Sequence, residues 1–260
     1  MMLKNRKLHN LSAAVLGCSG NIGKEIVKSL LTSRYWDSIV LINERKLADV
    51  SIMNCCSYRT KVKEYIVETD DIDRFENSCM GILSMEQCHS LFIAMGIGVE
   101  RKLDEHMIRK YYIDIPTAFA RGAKQGTSTV KHVSLLAGVG ADIFSILSEN
   151  DQTTLEHAII STENLCNQIK IEPIENLIDL SFPSLSIFRP TTLTGRPVLP
   201  KIIGDSMILD AKNMMLDDRD KVVNQREEGS VHWNGKTIEN RGSKALFLES
   251  CNNSFMNKKY

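Results

Sequence analysis

Short apolar runs alternate with segments of helical periodicity along most of the chain. The apolar runs predict six buried strands, over residues 12–16, 38–42, 65–67, 91–95, 130–136 and 186–188. Apolar residues at helical spacing predict helices from residue 22, over 104–121 and over 153–169, and Pro116 is expected to kink or restart the second of these. This alternation predicts an α/β fold, in which a single doubly wound parallel sheet carries helices on both faces.

The polarity of the chain changes at both ends. Lys4, Arg6 and Lys7 precede the first strand, and we interpret residues 1–10 as a basic N-terminal arm. After about residue 216, Asn, Gly, Lys and Glu dominate, which favours a polar C-terminal cap or tail over 217–260. The main domain is therefore expected to span residues 11–216, which is long enough to bury one substantial core.

Charge and cysteine content argue against several classes of function. Lys plus Arg and Asp plus Glu both number 32, so the chain has no net charge that would attract nucleic acid. Seven cysteines without a Cys-x-x-Cys pair argue against a disulfide framework and against a metal site. No apolar run reaches the roughly 18 residues of a membrane span. We expect a cytoplasmic protein, with mitochondrial import as the alternative that the basic arm leaves open.

Three glycines, Gly17, Gly20 and Gly23, join the first strand to the first helix. At such a turn the first glycine permits the tight bend, the second lets a diphosphate approach the backbone, and the third lets helix and strand pack closely. The helix N-terminus adds free N–H groups and a partial positive charge. The loop predicts a dinucleotide site of the Rossmann type, in which Ser19 can donate its hydroxyl to a phosphate and Cys18 is a small filler.

The order of the motifs along the chain carries a resemblance. The glycine loop is followed by Asn43-Glu44-Arg45 after strand two, Ala94-Met95-Gly96 after strand four and Phe188-Arg189-Pro190 after strand six. The chain thereby resembles the atypical short-chain dehydrogenase/reductase family, and in particular its Tat-interacting oxidoreductase-like branch, over roughly residues 11–195. The resemblance implies a nicotinamide dinucleotide held by Gly17, Ser19, Gly20, Asn21, Ile22, Gly23, Glu44, Arg45, Asp70, Asp71, Ala94, Gly96 and Pro190.

The turn after the second strand decides which dinucleotide fits. An acid there binds the ribose hydroxyls of NAD, whereas a base pairs with the 2′-phosphate of NADP. Glu44 and Arg45 are adjacent, and because the equivalent turn of the resembling branch is basic, we favour NADP(H) over NAD(H). The alternative is that both are solvated surface charges. Asp70 or Asp71 is expected near the adenine, with a helix N-cap as the alternative role, and residues 94–96 are expected under the adenosine ribose.

The catalytic residues of the resembling family are missing from this chain. Hydride transfer in that family uses a serine after strand five and a tyrosine with a lysine four residues later, because a nearby cation lowers the pKa of the phenol. No tyrosine here is followed by such a lysine, and the segment between the fifth strand and the end of the next helix contains no Tyr, Lys or Arg. In alignment with the branch, the three positions fall on Ala137 or Gly138, on Glu149 and on Thr153.

Two classes of function follow from this pattern. The first is an NAD(P)-binding protein without hydride chemistry, in which the dinucleotide stabilises the fold or reports redox state to a protein partner or to a second copy of the chain. The second is an oxidoreductase with an unconventional proton donor, for which His157 is the weak candidate. Ser134, in the fifth strand, is expected to be a buried hydroxyl bonded to backbone. A scaffold that has lost its cofactor is the third alternative, against which the intact glycines argue.

Overall fold

The computed structural model describes residues 10–47, 60–95, 105–137, 172–189, 192–193, 196–197, 199–216, 230–233 and 236–242. The strands are β1 (Leu11–Leu16), β2 (Trp36–Asn43), β3 (Lys61–Ile66), β4 (Ser90–Ile93), β5 (His132–Leu136), β6 (Ser184–Arg189), β7 (Thr192–Leu193), β8 (Arg196–Pro197), β9 (Ser230–Trp233) and β10 (Lys236–Gly242). Eight of them form one sheet in the order β3-β2-β1-β4-β5-β6-β10-β9, and β7 pairs with β8 separately. All neighbours in the large sheet are parallel except β10 and β9.

Helices connect the strands and cover both faces of the sheet. They are α1 (Asn21–Thr32), α2 (Ile72–Glu86), α3 (Glu105–Arg109), a π-helical segment (Lys110–Asp114), α4 (Ile115–Gly126), α5 (residues 172–179) and α6 (Pro200–Leu216). On one face α2 packs against α4, and on the other α1 packs against α6. None of the helices in the described ranges combines the length and the apolar character that a membrane span needs.

Each face of the sheet has its own apolar core. Because successive side chains of a strand point to opposite faces, Ala14 and Leu16 enter the core under α2 and α4, whereas Ala13 and Val15 enter the core under α1 and α6. Every residue of β1 is buried, as expected for a central parallel strand covered on both sides. The predicted fold, a doubly wound α/β sheet with helices on both faces, is confirmed.

The six predicted strands are present, and the largest difference in their bounds concerns the third. The prediction placed this strand at residues 65–67, whereas β3 spans Lys61–Ile66. β3 lies at the edge of the sheet, and its lysines Lys61 and Lys63 are exposed. Charged side chains are common on edge strands. Because of these lysines, the first half of β3 does not form an apolar run, which is the pattern that predicts a buried strand.

The predicted interruption at Pro116 takes the form of a π-helical segment. Helical structure continues from Glu105 to Gly126, but residues 110–114 are wound as a π-helix immediately before α4 begins. Proline has no N–H to donate to the carbonyl four residues earlier, and its ring would clash with that carbonyl. A wider turn before the proline avoids the clash. The helix predicted over 153–169 lies outside the described residues.

The polar C-terminal stretch contributes two strands to the main sheet. We predicted a cap or tail for residues 217–260, and within it β10 pairs in parallel with β6 while β9 pairs with β10 in the antiparallel direction. These strands contain charged and amide residues, so their sequence lacked the apolar run on which strand prediction rests. The stretch therefore extends the edge of the same sheet.

Candidate functional site

The carboxyl ends of β1, β2 and β4 meet at one edge of the sheet and border a cleft. Leu16, near the end of β1, pairs with Ile42 of β2 and with Ile93 of β4, so the loops that follow these three strands are neighbours. The cleft has a volume of about 420 Å³. It is lined by Leu16, Gly17, Ser19, Gly20, Ile42, Asn43, Glu44, Arg45, Thr69, Phe75, Ala94, Met95, Met107, Tyr111 and Ile115. Ligands of open α/β sheets bind at this position.

The glycine loop has a backbone that only glycine fits at two of its positions. Gly17 has φ of 84°, which L side chains rarely adopt, and a Cβ there would lie 2.6 Å from the carbonyl oxygen of Ala94. A Cβ on Gly23 would lie 2.1 Å from the carbonyl oxygen of Gly17. Gly17 thus allows the loop to pass close to β4, and Gly23 allows α1 to begin directly against the loop.

The N-terminus of α1 opens into the cleft through this loop. Gly20 is the N-cap residue, and no side chain caps the first turn of the helix. The first turn also lacks an acidic residue, so its N–H groups and the positive end of the helix dipole are available to an anion. Ser19 and Gly20 are exposed at the cleft wall. This donor set, with the close approach that Gly20 permits, fits the diphosphate of a dinucleotide.

A partly buried hydrogen-bond network ties the glycine loop to the turn after β2. The Cys18 thiol donates to Asn43 Oδ1 at 2.6 Å, and Asn43 Nδ2 donates to Glu64 Oε1 at 3.0 Å. The same Glu64 oxygen accepts from the backbone N–H of Leu47 at 2.7 Å. Burial raises the pKa of the Cys18 thiol to about 12, so Cys18 is a buried filler and donor with little thiolate character. The network fixes both ends of the Glu44–Arg45 turn.

Glu44 and Arg45 both line the cleft, in different surroundings. Thr69 donates its hydroxyl to Glu44 Oε1 at 2.7 Å, and the Tyr111 hydroxyl lies 3.3 Å from Glu44 Oε2. Arg45 is exposed, and among the described residues its guanidinium forms no ion pair. The turn therefore places two opposite charges at the cleft. The Glu44 carboxylate already accepts hydrogen bonds, whereas the Arg45 guanidinium has no acidic partner in the described part of the chain.

The two aspartates predicted near the adenine have structural partners. Asp71 caps α2, because its carboxylate accepts a hydrogen bond from the backbone N–H of Arg74 at 3.0 Å. Asp70 pairs with Lys110 at 2.7 Å. The N-cap alternative thus holds for Asp71, and neither aspartate lines the cleft. A role of either toward an adenine stays a prediction.

The other predicted site residues divide into three groups. Gly17, Ser19, Gly20, Glu44, Arg45 and Ala94 are brought together at the cleft. The first turn of α1, behind the loop, contains Asn21, Ile22 and Gly23. These residues do not line the cleft. Gly96, Pro190 and His157 lie outside the described residues. The binding roles of all three groups, and the catalytic role of His157, stay predictions.

The neighbouring strand β5 carries a polar cluster that is closed to solvent. His132 and Ser134 are fully buried, and His132 Nε2 lies 2.9 Å from Ser134 Oγ. His132 Nδ1 lies 3.1 Å from Ser184 Oγ of β6, and Asp210 Oδ2 of α6 lies 3.6 Å from His132 Nε2. Ser134 is buried as predicted, but its hydroxyl contacts a histidine ring, where the prediction was a bond to backbone. Among the described residues no group of His, Cys, Asp and Glu could hold a metal ion.

Sequence reasoning missed four polar or flexible residues of the cleft: Asn43, Thr69, Met107 and Tyr111. Thr69 closely follows the end of β3, so the rule that sites form at the carboxyl ends of parallel strands could have identified it. Tyr111 could not be identified in this way, because it reaches the cleft from the π-helical segment between α3 and α4. Its position depends on how the helices pack.

Comparison with known proteins gives sequence relatives, one of which is Protein HTATIP2. The chain is 27% identical to Protein HTATIP2 of Rattus norvegicus over 189 residues, which cover 72% of this chain and 64% of that protein. The matched stretch is thus less than two thirds of the relative's length. No protein-family model matches the chain.

Solved structures show the same fold. A metagenomic short-chain oxidoreductase in complex with NADP has a TM-score of 0.55 at 15% identity, with 78% of this chain and 91% of that one covered. The MalC reductase/Diels-Alderase of Malbranchea aurantiaca has a TM-score of 0.61 at 10% identity, with 93% and 96% covered. The sequence relative and the shared fold support the predicted resemblance to the atypical short-chain dehydrogenases/reductases. Another solved relative in fold holds NAD, so the architecture itself does not select between the two dinucleotides.

Proposed function

We propose that this relative of the short-chain dehydrogenases/reductases binds a nicotinamide dinucleotide in the cleft and does not use it for hydride transfer. The observation that carries the proposal is the glycine loop. Gly17 has a positive φ, and the uncapped N-terminus of α1 faces the cleft between the ends of β1 and β4. A diphosphate against this loop would accept hydrogen bonds from backbone N–H groups and from the Ser19 hydroxyl.

The adenosine end of the dinucleotide would extend toward the turn after β2. Glu44 and Arg45 border the cleft there, and Ala94 lies opposite them at the end of β4. We propose a preference for NADP(H) over NAD(H), because the Arg45 guanidinium has no acidic partner among the described residues and can pair with a 2′-phosphate. The Glu44 carboxylate, in contrast, already accepts a hydrogen bond from Thr69.

The non-catalytic role is supported by the spacing of the tyrosines in the sequence and by the burial of Ser134. None of the six tyrosines of the chain has a lysine four residues later, so the phenol and cation that the family uses for proton transfer are not paired in this way. Ser134 is buried in contact with His132 and is closed to solvent. The bound dinucleotide would then stabilise the fold or couple redox state to a protein partner or a second copy of the chain. Such coupling needs only that the ligand favours one state of the protein.

The first experiment measures dinucleotide binding to the purified chain. NADPH and NADH are added separately, and the melting temperature and the cofactor fluorescence are recorded. Saturation at a hundred times Kd stabilises a protein by about 2.7 kcal/mol, which corresponds to an increase in melting temperature of roughly 5–10 °C. No response to either dinucleotide would refute the proposed function.

Variants of the turn after β2 test the cofactor preference. Arg45→Ala should weaken NADPH about five- to tenfold and leave NADH nearly unchanged. Lys46→Ala is the matched control, because it removes the same charge from the same turn at a residue that does not line the cleft. Equal effects of Arg45→Ala on both dinucleotides would contradict the assignment of NADP(H).

Turnover distinguishes the non-catalytic role from the enzyme alternative. Once binding is established, NADPH oxidation is followed with a panel of aldehydes and ketones, and we expect none above the rate without protein. Turnover that His157→Ala abolishes would establish the alternative, an oxidoreductase with an unconventional proton donor.

A further inference from the structure

The Glu44 carboxylate is held from two sides at the edge of the cleft where β2 ends. Thr69, which closely follows β3, donates to Oε1 at 2.7 Å. Tyr111, from the π-helical segment, places its hydroxyl 3.5 Å from Oε1 and 3.3 Å from Oε2. Thr69 is only 4% exposed, so water competes little for its hydrogen bond. Three separate segments of the chain therefore meet at one carboxylate.

The geometry makes Tyr111 a donor in this contact. Partial burial, with Glu44 next to it, raises the pKa of Tyr111 above its usual range, so the hydroxyl keeps its proton near neutral pH. The neighbouring Lys110 pairs with Asp70 at 2.7 Å, which attaches the π-helical segment to the turn after β3. Because an ionised carboxylate only accepts hydrogen bonds, Thr69 and Tyr111 are the donors in both contacts with Glu44.

The two donors change what Glu44 does to a ligand in the cleft. A free carboxylate at the end of β2 would accept from the two hydroxyls of a ribose and would repel a 2′-phosphate. Donors on Glu44 spread its negative charge and occupy acceptor positions, so that it gains less from a ribose and repels a phosphate less. The guanidinium of Arg45, which lines the same cleft, then meets less competition from the Glu44 carboxylate for a ligand.

We propose that Thr69 and Tyr111 are positioning residues that set the cofactor preference of this cleft. By holding Glu44 they lower its competition with Arg45, and they shift the preference toward NADP(H). The inference rests on the proposed function, because it concerns how the same cleft selects between two dinucleotides. It assigns a selective role to two residues that lie outside the glycine loop and outside the Glu44–Arg45 turn.

The test compares the preference ratio, Kd for NADH divided by Kd for NADPH, in matched variants of the full chain. Tyr111→Phe removes one hydroxyl from a partly exposed side chain, and Thr69→Val removes the other with nearly the same shape. Each should lower the ratio about two- to tenfold, the effect of one net hydrogen bond. Thr69→Ser keeps a hydroxyl and should keep most of the wild-type ratio. A merely structural role would weaken both dinucleotides equally and leave the ratio unchanged.

Removing the charge of Glu44 provides the decisive control. Glu44→Gln should raise the ratio, and adding Tyr111→Phe to Glu44→Gln should then change it little, because the tyrosine acts through the carboxylate. Wild-type protein that binds neither dinucleotide would refute the proposed function itself. Wild-type protein that binds both, with a ratio unmoved or raised in Tyr111→Phe, would overturn this inference alone. If Thr69→Val fails to fold, Tyr111→Phe and its pairing with Glu44→Gln still decide the outcome.

Discussion

Polar side chains lie in opposite surroundings in the two halves of the sheet. At the ends of β1 and β2, Ser19, Glu44 and Arg45 are exposed at the wall of a cleft. On β5, His132 and Ser134 are fully buried between the sheet and the helices of one face. Polar groups at the ends of β1 and β2 can therefore contact a ligand. The polar groups of β5 contact only other groups of the protein.

The comparison teaches that residue type is a weak guide to chemistry. A histidine beside two serines and an aspartate would suggest proton transfer if only the residues were named. The ring nitrogens of His132 lie within 3.1 Å of the Ser134 and Ser184 hydroxyls, which occupies the sites that a substrate would need. Buried polar groups of this kind are satisfied internally and specify the packing of a core.

The largest expected effect is on the glycine loop. Gly23→Ala should lower the free energy of unfolding by about 3 kcal/mol and abolish the increase in melting temperature with dinucleotide, because the new Cβ would lie 2.1 Å from a backbone oxygen. The measurements are denaturant unfolding and dinucleotide titration. Gly81→Ala is the control, since nothing lies within 4 Å of its Cβ. In the interior of α2 it should stabilise the protein by about 0.5–1 kcal/mol, and unchanged binding in Gly23→Ala would contradict the role of the loop.

The second effect separates stability from binding in the buried half. Ser134→Ala removes the hydroxyl 2.9 Å from His132 Nε2 and should cost about 1–3 kcal/mol of unfolding free energy with dinucleotide affinity unchanged. Ser78→Ala is the control, because its hydroxyl bonds a carbonyl on the exposed side of α2, and its cost should stay within about 0.5 kcal/mol. A large loss of dinucleotide affinity in Ser134→Ala would show that the buried cluster belongs to the site.

The third effect is a pH dependence at the amino ends of β1 and β4, on the side of the sheet away from the cleft. Burial and the nearby Lys131 lower the pKa of His89, and His89 Nδ1 accepts the N–H of Ser12 at 3.1 Å. His89 in the unfolded chain therefore binds a proton at higher pH than in the folded chain. Its contribution to the free energy of unfolding is complete above the ordinary histidine pKa of about 6.5, and it decreases as the pH is lowered through that value.

Unfolding measured between pH 7.5 and pH 5 tests this dependence. His89→Gln should flatten the curve in this window, since no proton is then taken up on unfolding at this position. The exposed His106→Gln is the control and should leave the curve unchanged. A wild-type stability that rises on acidification would contradict the assignment to His89.

The smallest expected effect is the absence of alkylation at three buried cysteines. Cys18, Cys79 and Cys88 are buried, and burial raises the pKa of each thiol to about 12. Iodoacetamide at pH 8 should leave all three unlabelled in the native protein and label them after denaturation, as measured by peptide mass spectrometry. Native labelling of Cys18 would show that the loop opens and that its thiol is available for chemistry.

The sequence determined the fold and part of the site, because both depend on local patterns. Buried parallel strands are apolar runs, so five of the six predicted strands agree closely with the structure, and β3 was shortened by its exposed lysines. The spacing of Gly17, Gly20 and Gly23 identified the loop, since a tight turn between strand and helix restricts the residue at each of these positions. The adjacent Glu44 and Arg45 identified the turn beside it.

Only the tertiary structure decided which groups face each other. Thr69 and Tyr111 are 42 residues apart in sequence and meet at Glu44 because parallel strands bring their carboxyl ends together and a π-helical turn rotates the tyrosine toward the cleft. Likewise Ser134 contacts His132 rather than backbone, because α6 covers that face and excludes water. Sequence periodicity reports which face of an element is apolar, but it carries no information on which distant elements pack against that face. That contact is set by the packing of the whole chain, and it decides which polar groups can reach a ligand.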